Sequence, residues 1–202
     1  MKKVDLKKEL KNLYQPLNTN IEVVVVPEMN FLMMNGKGDP NTSQEYKKAI
    51  ETLFAVSYNL KFMVKKSSLE IDYVVMPLEG LWWVENMEKF TLDNKSNWHW
   101  TAMIMQPKFI TKEMVDKACV DVAHKKHLPT ELIQFESFYE GHAAQILYIG
   151  AYSEESDTVK AIHYFIKNKG HKLTGKHHEI YLSDPRKTKP EKLKTIIRRP
   201  FI

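Results

Sequence analysis

Apolar positions recur at two different periods along this 202-residue chain, and the switching between them outlines its elements. Leu6, Leu10 and Leu13 fall at helical spacing between Asp5, a good N-cap residue, and Pro16, a stop, which predicts a short amphipathic helix over 5–15. Ile21 to Val26 is a mostly β-branched run ended by Pro27. Asn30 to Met34 runs into Asn35-Gly36-Lys37-Gly38 and Asp39-Pro40, so this stretch reads as strand, tight turn, strand, loop. Thr42 or Ser43 then caps a helix with Tyr46, Ala49, Ile50, Leu53, Phe54 and Val56 on its apolar face. Glu70 to Met76 follows as a strand ended by Pro77.

The second half repeats this order. Ile133 to Tyr139 and Ala143 to Ile149 read as strands around a Glu140-Gly141 turn, 154–168 reads as a helix ended by Gly170, and a strand follows at His177 to Leu182. A shift of 112 positions lays Ile21 on Ile133, Gly38 on Gly150 and Ala49-Ile50 on Ala161-Ile162; after the helix a shift of 108 lays Tyr73 on Tyr181 and Pro77 on Pro185. The shared order predicts an internal duplication. The fold class expected is α+β, with two strand-and-helix units building one antiparallel sheet that carries its helices on a single face. The first repeat is placed at about 21–77, a linker at 78–130, the second repeat at about 131–185 and a basic tail at 186–202, with residues 1–20 as an N-terminal helical extension.

The linker is unusual in holding all four tryptophans, in Leu81-Trp82-Trp83 and Trp98-His99-Trp100, ahead of a strand-like 101–105 and a helix over 111–126. Four indoles so close in sequence form either a core between the two copies or an aromatic wall around a ligand.

Charge and composition narrow the function. The formal +5 sits in the tail, where 186–199 carries seven basic residues against Glu191, so the rest of the chain is close to neutral. That excludes a protein that coats DNA, and the tail reads as a solvated segment with no direct sequence-specific DNA binding. One cysteine, Cys119, leaves no internal disulfide. No apolar leader or membrane-length run is present, so the expected setting is the cytoplasm, away from membranes. Phosphate-binding loops, dinucleotide fingerprints, serine elbows and zinc-finger spacings are absent, and the histidines show no ligand spacing, so neither cofactor nor metal is expected.

The residue that stands out is Glu179, in His177-His178-Glu179-Ile180-Tyr181-Leu182-Ser183-Asp184-Pro185. Strand alternation puts Glu179 and Tyr181 on one face and Ile180 and Leu182 on the other. The apolar pair is expected under the helices, leaving Glu179 on the open face. A carboxylate partly desolvated there has a raised pKa and suits either cation binding or general-base attack by water. An ordinary exposed strand glutamate satisfies the same pattern.

The duplication and the ending Glu179-Ile180-Tyr181-Leu182-Ser183-Asp184-Pro185 resemble the GyrI-like (gyrase-inhibitor-like) small-molecule-binding family, from about Ile21 onward. Pro77-Leu78-Glu79-Gly80-Leu81-Trp82-Trp83, Trp98-x-Trp100 and His177-His178-Glu179-Ile180-Tyr181 resemble its stand-alone branch of cyclopropanoid cyclopropyl hydrolases. The resemblance implies duplicated SHS2-type units around a concave groove, with Glu179 and Tyr181 as catalytic residues. The groove walls it implies come from Trp82 or Trp83, Trp100, Tyr148 and Tyr139. It also implies a bulky hydrophobic or cationic aromatic ligand and detoxifying hydrolysis of a strained electrophile such as a cyclopropane. The alternatives are a non-catalytic drug sensor or sponge, or a protein-protein inhibitor of the gyrase-inhibitor type. The DNA-binding domain of the regulators in this family is missing from this sequence.

Overall fold

The strands expected at 21–26 and 30–34 are two halves of one bent ribbon. In the computed structural model, which describes residues 1–16, 20–87, 90–91 and 95–202, they are β2 (Glu22–Val26) and β3 (Met29–Lys37), following a short β1 (Lys2–Val4). Their partners are β7 (Gln134–Phe138) and β8 (Gly141–Ile149). Val26 faces Gly141 and, three residues on, Met29 faces Phe138, so the register runs through both connections without a break.

The remaining strands are β4 (Ile71–Tyr73), β5 (Leu78–Trp83), β6 (His99–Gln106), β9 (His177–Tyr181) and β10 (Lys194–Pro200). Eight strands pair antiparallel in the order β2-β8-β10-β9-β5-β6-β3-β7, and β4 instead pairs with β1, in parallel, outside this sheet. Because the ribbon joins opposite ends of that order, the sheet is curled. Exchanging β2 with β7, β3 with β8, β5 with β9 and β6 with β10 returns the same order reversed.

The helices are α1 (Leu6–Glu9), α2 (Lys11–Tyr14), α3 (Gln44–Lys66), α4 (Lys112–Lys126) and α5 (Ser156–Asn168). α3 starts where its cap predicts: Ser43 Oγ accepts from the Tyr46 amide. α3 and α5 lie on the same face of the sheet. On that face Ser57 of α3 meets Gln106 of β6, and Val159, Ile162 and Ile166 of α5 cluster with Ala144 of β8 and Ile197 of β10. α4 rests on α3. α3 therefore covers β3 and β6, α5 covers β8 and β10, and the central pair β5 and β9 lies between them.

Two sequence boundaries need correction. The stretch 78–106, placed in the linker, supplies two interior strands, β5 and, around the strand-like 101–105, β6, while the expected strand at 70–76 is the small β4. The basic tail is not solvated beyond Lys194: β10 is an interior strand, with Arg198 0% and Arg199 4% exposed. Charge counting misplaced it because the apolar partners Ile196 and Ile197 are too few to mark a strand among so many basic residues.

The face opposite α3 and α5 holds a buried polar network that α2 joins through Leu13 and Tyr14. Tyr14 OH donates to Glu79 (2.8 Å), His178 bridges Glu79 and Glu140 (3.0 Å each), and Arg198 binds Gln145 and the Leu13 carbonyl (2.7 Å). Burial alone would lower the His178 pKa, but Glu140 and Glu79 outweigh it and hold the imidazolium up to about 9. Its folded value exceeds the free value, so its stabilisation is complete below about pH 6.5 and lost as the pH rises through about 9. Urea titrations should show stability falling by up to about 3 kcal/mol over that window, and His178→Gln should flatten the decline.

Candidate functional site

The site grows from the alternation of β9. His177, Glu179 and Tyr181 share one face of the sheet with Gly80 and Trp82 of β5 and Trp100 of β6, their neighbours in the register. It is the face that carries α3 and α5, since Tyr46 of α3 packs on Trp82 (5.4 Å between ring centres) and Trp100 (5.0 Å). Glu179 thus lies between the two helices, and the expectation that it faces away from them is corrected. Alternation separates two faces but does not say which one the helices cover. Here both are buried, so Ile180 carries no information about the helices.

Glu179 is 4% exposed and fully engaged. His177 Nε2 contacts Oε1 at 2.9 Å, and Tyr181 OH donates to Oε2 at 2.8 Å while accepting from Trp82 Nε1 at 3.2 Å. Gly80 sits opposite Glu179, and a Cβ there would stand 2.8 Å from Trp82 Nε1, so the missing side chain lets the indole lie over the strand and reach Tyr181. Burial pushes the Glu179 pKa up, but the hydrogen bond and charge of His177, the Tyr181 hydroxyl and Lys95 together pull it below the usual carboxylate value. The raised pKa expected for Glu179 is therefore corrected: it is held as an anion. Burial, and then the Glu179 charge, drive Tyr181 well above the usual phenol value, so it stays a donor.

The other expected walls divide. Trp82 and Trp100 join the cluster, at 2% and 0% exposure. Trp83 points to the opposite face, stacked on His99 with Lys176 Nζ 3.3 Å over its ring. Tyr148 shares the face of Glu179, but on β8, beneath α5, with its hydroxyl donating to the Ala151 carbonyl. Tyr139 stands 63% exposed in the β7–β8 turn.

Sequence reasoning missed four members. Tyr46 reads as part of a helical core stripe. Tyr152, whose ring meets Tyr181 edge-on at 5.6 Å, carries no local signal. His177 lies in the quoted motif without a role. Glu155, the N-cap of α5 and 1% exposed, sits in the acidic run Glu154-Glu155-Ser156-Asp157, which looks like an ordinary helix start. Phe90 closes one side, stacked on Trp98 (4.9 Å) and tilted against His177 (5.5 Å).

Glu155, His177 and Glu179 bring one ligand-capable atom each within 4.8 Å of one another, the one such trio among the described residues. His177, however, turns Nε2 to Glu179 and leaves its buried Nδ1 without a partner, whereas a metal-bound imidazole normally has its outer nitrogen anchored. A hollow of about 510 Å³ lies elsewhere, lined by Lys3, Asp5, Lys8, Lys61 and Asp72. Part of its charge is paired, Lys61 with Asp72 at 3.3 Å and Lys8 with Asp5 at 3.8 Å, and Glu9 also lines it.

The sequence model of the GyrI-like small-molecule-binding domain matches residues 19–201. The chain belongs to the GyrI-like family. An uncharacterized conserved protein of Listeria innocua is 44% identical over 98% of this chain and all of its own, with a TM-score of 0.90. A hydrolase of the same organism is 43% identical over the full length of both chains, with a TM-score of 0.89. A second Listeria innocua hydrolase is 41% identical over 98% of this chain and all of its own, at 0.86. The C-terminal domain of EcmrR, 10% identical with a TM-score of 0.57 over 91% of this chain and 98% of that one, shows the shared fold alone. A search of curated proteins finds no match. As in other folds that host several activities, membership in the GyrI-like family sets the architecture and leaves the chemistry to particular side chains. No helix among the described residues of this GyrI-like chain is long and apolar enough to cross a membrane.

Proposed function

We propose that this GyrI-like protein captures flat hydrophobic or cationic aromatic compounds between α3 and α5 and hydrolyses a strained electrophile among them, such as a cyclopropane. The observation that carries this reading is the buried anion of Glu179 held by His177 and Tyr181 among Trp82, Trp100 and Tyr46. Water held by Glu179 attacks a ring carbon as the carboxylate takes its proton. The strained carbon–carbon bond breaks with its electron pair passing to a carbonyl conjugated with the ring, and a proton from solvent on that oxygen completes the water adduct while Glu179 returns its own proton to solvent. Tyr181 holds the carboxylate in place, and the indoles position the substrate. The full-length likeness to two Listeria hydrolases supports a hydrolytic role.

The reversible strand order supports reading the fold as a duplicated SHS2-type unit with the site at its pseudo-twofold centre, between β5 and β9. The burial of Arg198 and Arg199 supports the absence of a phosphate-binding basic stripe, in line with a soluble cytoplasmic protein that does not read DNA.

One observation favours a pure binder. A carboxylate with a depressed pKa is a good counter-ion and a weak base. The two readings separate when the protein is incubated with a large excess of a neutral cyclopropane-bearing electrophile. The hydrolase yields many equivalents of the ring-opened water adduct per protein. A binder yields none while still quenching tryptophan fluorescence on titration, and that result would overturn the hydrolytic reading.

A further inference from the structure

Glu155 has no place in the hydrolytic scheme, yet it is a buried carboxyl group with an unpartnered oxygen beside the site. The residue is 1% exposed, its Oε2 has no hydrogen-bond partner, and one of its oxygens lies within 4.8 Å of a Glu179 oxygen and a His177 ring nitrogen. Two carboxylates so close in a buried setting do not both ionise. Glu179 accepts from His177 and Tyr181, so the anion rests on Glu179 and the proton on Glu155.

We propose that the site takes up a lipophilic aromatic cation in exchange for the proton that Glu155 holds beside Glu179. The inference rests on the binding reading above and names how the same site accepts charge. Before binding, the pair carries one negative charge and one proton. The cation enters against the aromatic rings, the Glu155 O–H bond breaks, its proton passes to solvent, and two carboxylates face the bound charge. No covalent bond to the ligand forms.

The groups facing Glu155 fix the direction. Burial, and then Glu179, push its pKa up to about 10, with Lys95, in the segment before β6, acting against them. The N-terminus of α5 acts in the same sense as Lys95. His177 and Tyr181 from β9, Tyr148 of β8 and Tyr152 ahead of α5 complete the surroundings; both Tyr148 and Tyr152 are driven above the usual phenol value, so neither adds charge at neutral pH. A cation within about 4–6 Å lowers a carboxyl pKa by about 1–3 units. The bound cation therefore favours ionised Glu155, affinity rises with pH until Glu155 ionises without the ligand, and it levels off above that.

The test uses the full chain with rhodamine 6G as a flat monocation and Nile red as a neutral control. Binding is followed by tryptophan quenching, with calorimetry in two buffers of different ionisation heat and near-UV circular dichroism to confirm folding. Rhodamine affinity should rise roughly tenfold between about pH 7 and about pH 9, with most of one proton released per dye near the upper end, while Nile red affinity stays flat. Glu155→Gln should bind rhodamine at the wild-type low-pH affinity with no slope and no proton release, and Glu155→Asp should restore the slope. Dye binding without proton release by the wild type overturns the exchange and leaves the binding reading standing, even where Glu155→Gln fails to fold. An unchanged slope in folded Glu155→Gln also overturns it, by assigning the proton to another group. Binding of neither dye removes the binding reading itself, and the exchange with it.

Discussion

Glu179→Gln is expected to abolish turnover while leaving the site able to bind. The amide keeps the shape of the carboxylate and can still accept from Tyr181, but it cannot take a proton from water, and loss of a positioned base lowers the rate by about 100-fold or more. Single-turnover hydrolysis beside equilibrium binding of a neutral cyclopropane-bearing substrate reads both effects. Affinity should stay within a few-fold of wild type while the chemical step collapses. Wild-type turnover should also persist as the pH falls through the usual glutamate range, because Glu179 stays ionised below it. Full activity in the Gln variant would remove Glu179 from the mechanism. A variant that loses cationic dyes and keeps neutral ones, with neither form releasing product, would make Glu179 a counter-ion only.

Arg198→Met should be the most destabilising single change in the basic C-terminal segment. The guanidinium is 0% exposed and holds Gln145 Oε1 (3.0 and 2.9 Å), the Leu13 carbonyl (2.7 Å) and Glu140 (3.4 Å). Methionine fills much of the same volume but removes the donor from Gln145 Oε1 and the Leu13 carbonyl and leaves Glu140 with His178 alone. Breaking one partner out of a buried charged network costs about 3–5 kcal/mol, so Tm should drop by roughly 6–20 °C. Arg186→Met is the control: Arg186 pairs with Asp184 at 2.9 Å, its side chain is 85% exposed, and Tm should not move. A drop for Arg198→Met no larger than that of the control would mean that the network contributes nothing to stability.

The two arginines illustrate a wider limit. Local chemistry set the positions of most elements. The Ser43 cap, the β-branched run before Pro27 and the helical stripe of α5 all sit within a few residues of where they are expected, because caps, turns and periodicity act over a handful of neighbours. The motif around Glu179 forms β9, and two of the clustered tryptophans, Trp82 and Trp100, lie on the Glu179 face of the neighbouring strands. Alternation correctly put Glu179 and Tyr181 on one face.

Three things were decided only by the tertiary structure. Which strands are central depends on long-range pairing: β5 and β6 won interior places over the expected 70–76 strand because their register meets β9 and β3, and no local pattern encodes that choice. Which face the helices cover was hidden because the other face is buried as well, with Leu13 and Tyr14 of α2 against its polar network, so neither side of β9 stays open. The protonation of the site was hidden most deeply. The resting charge of Glu179 and the proton on Glu155 arise from a pair 24 residues apart in sequence that burial brings together, and a carboxyl pKa is a property of that shared environment rather than of either residue.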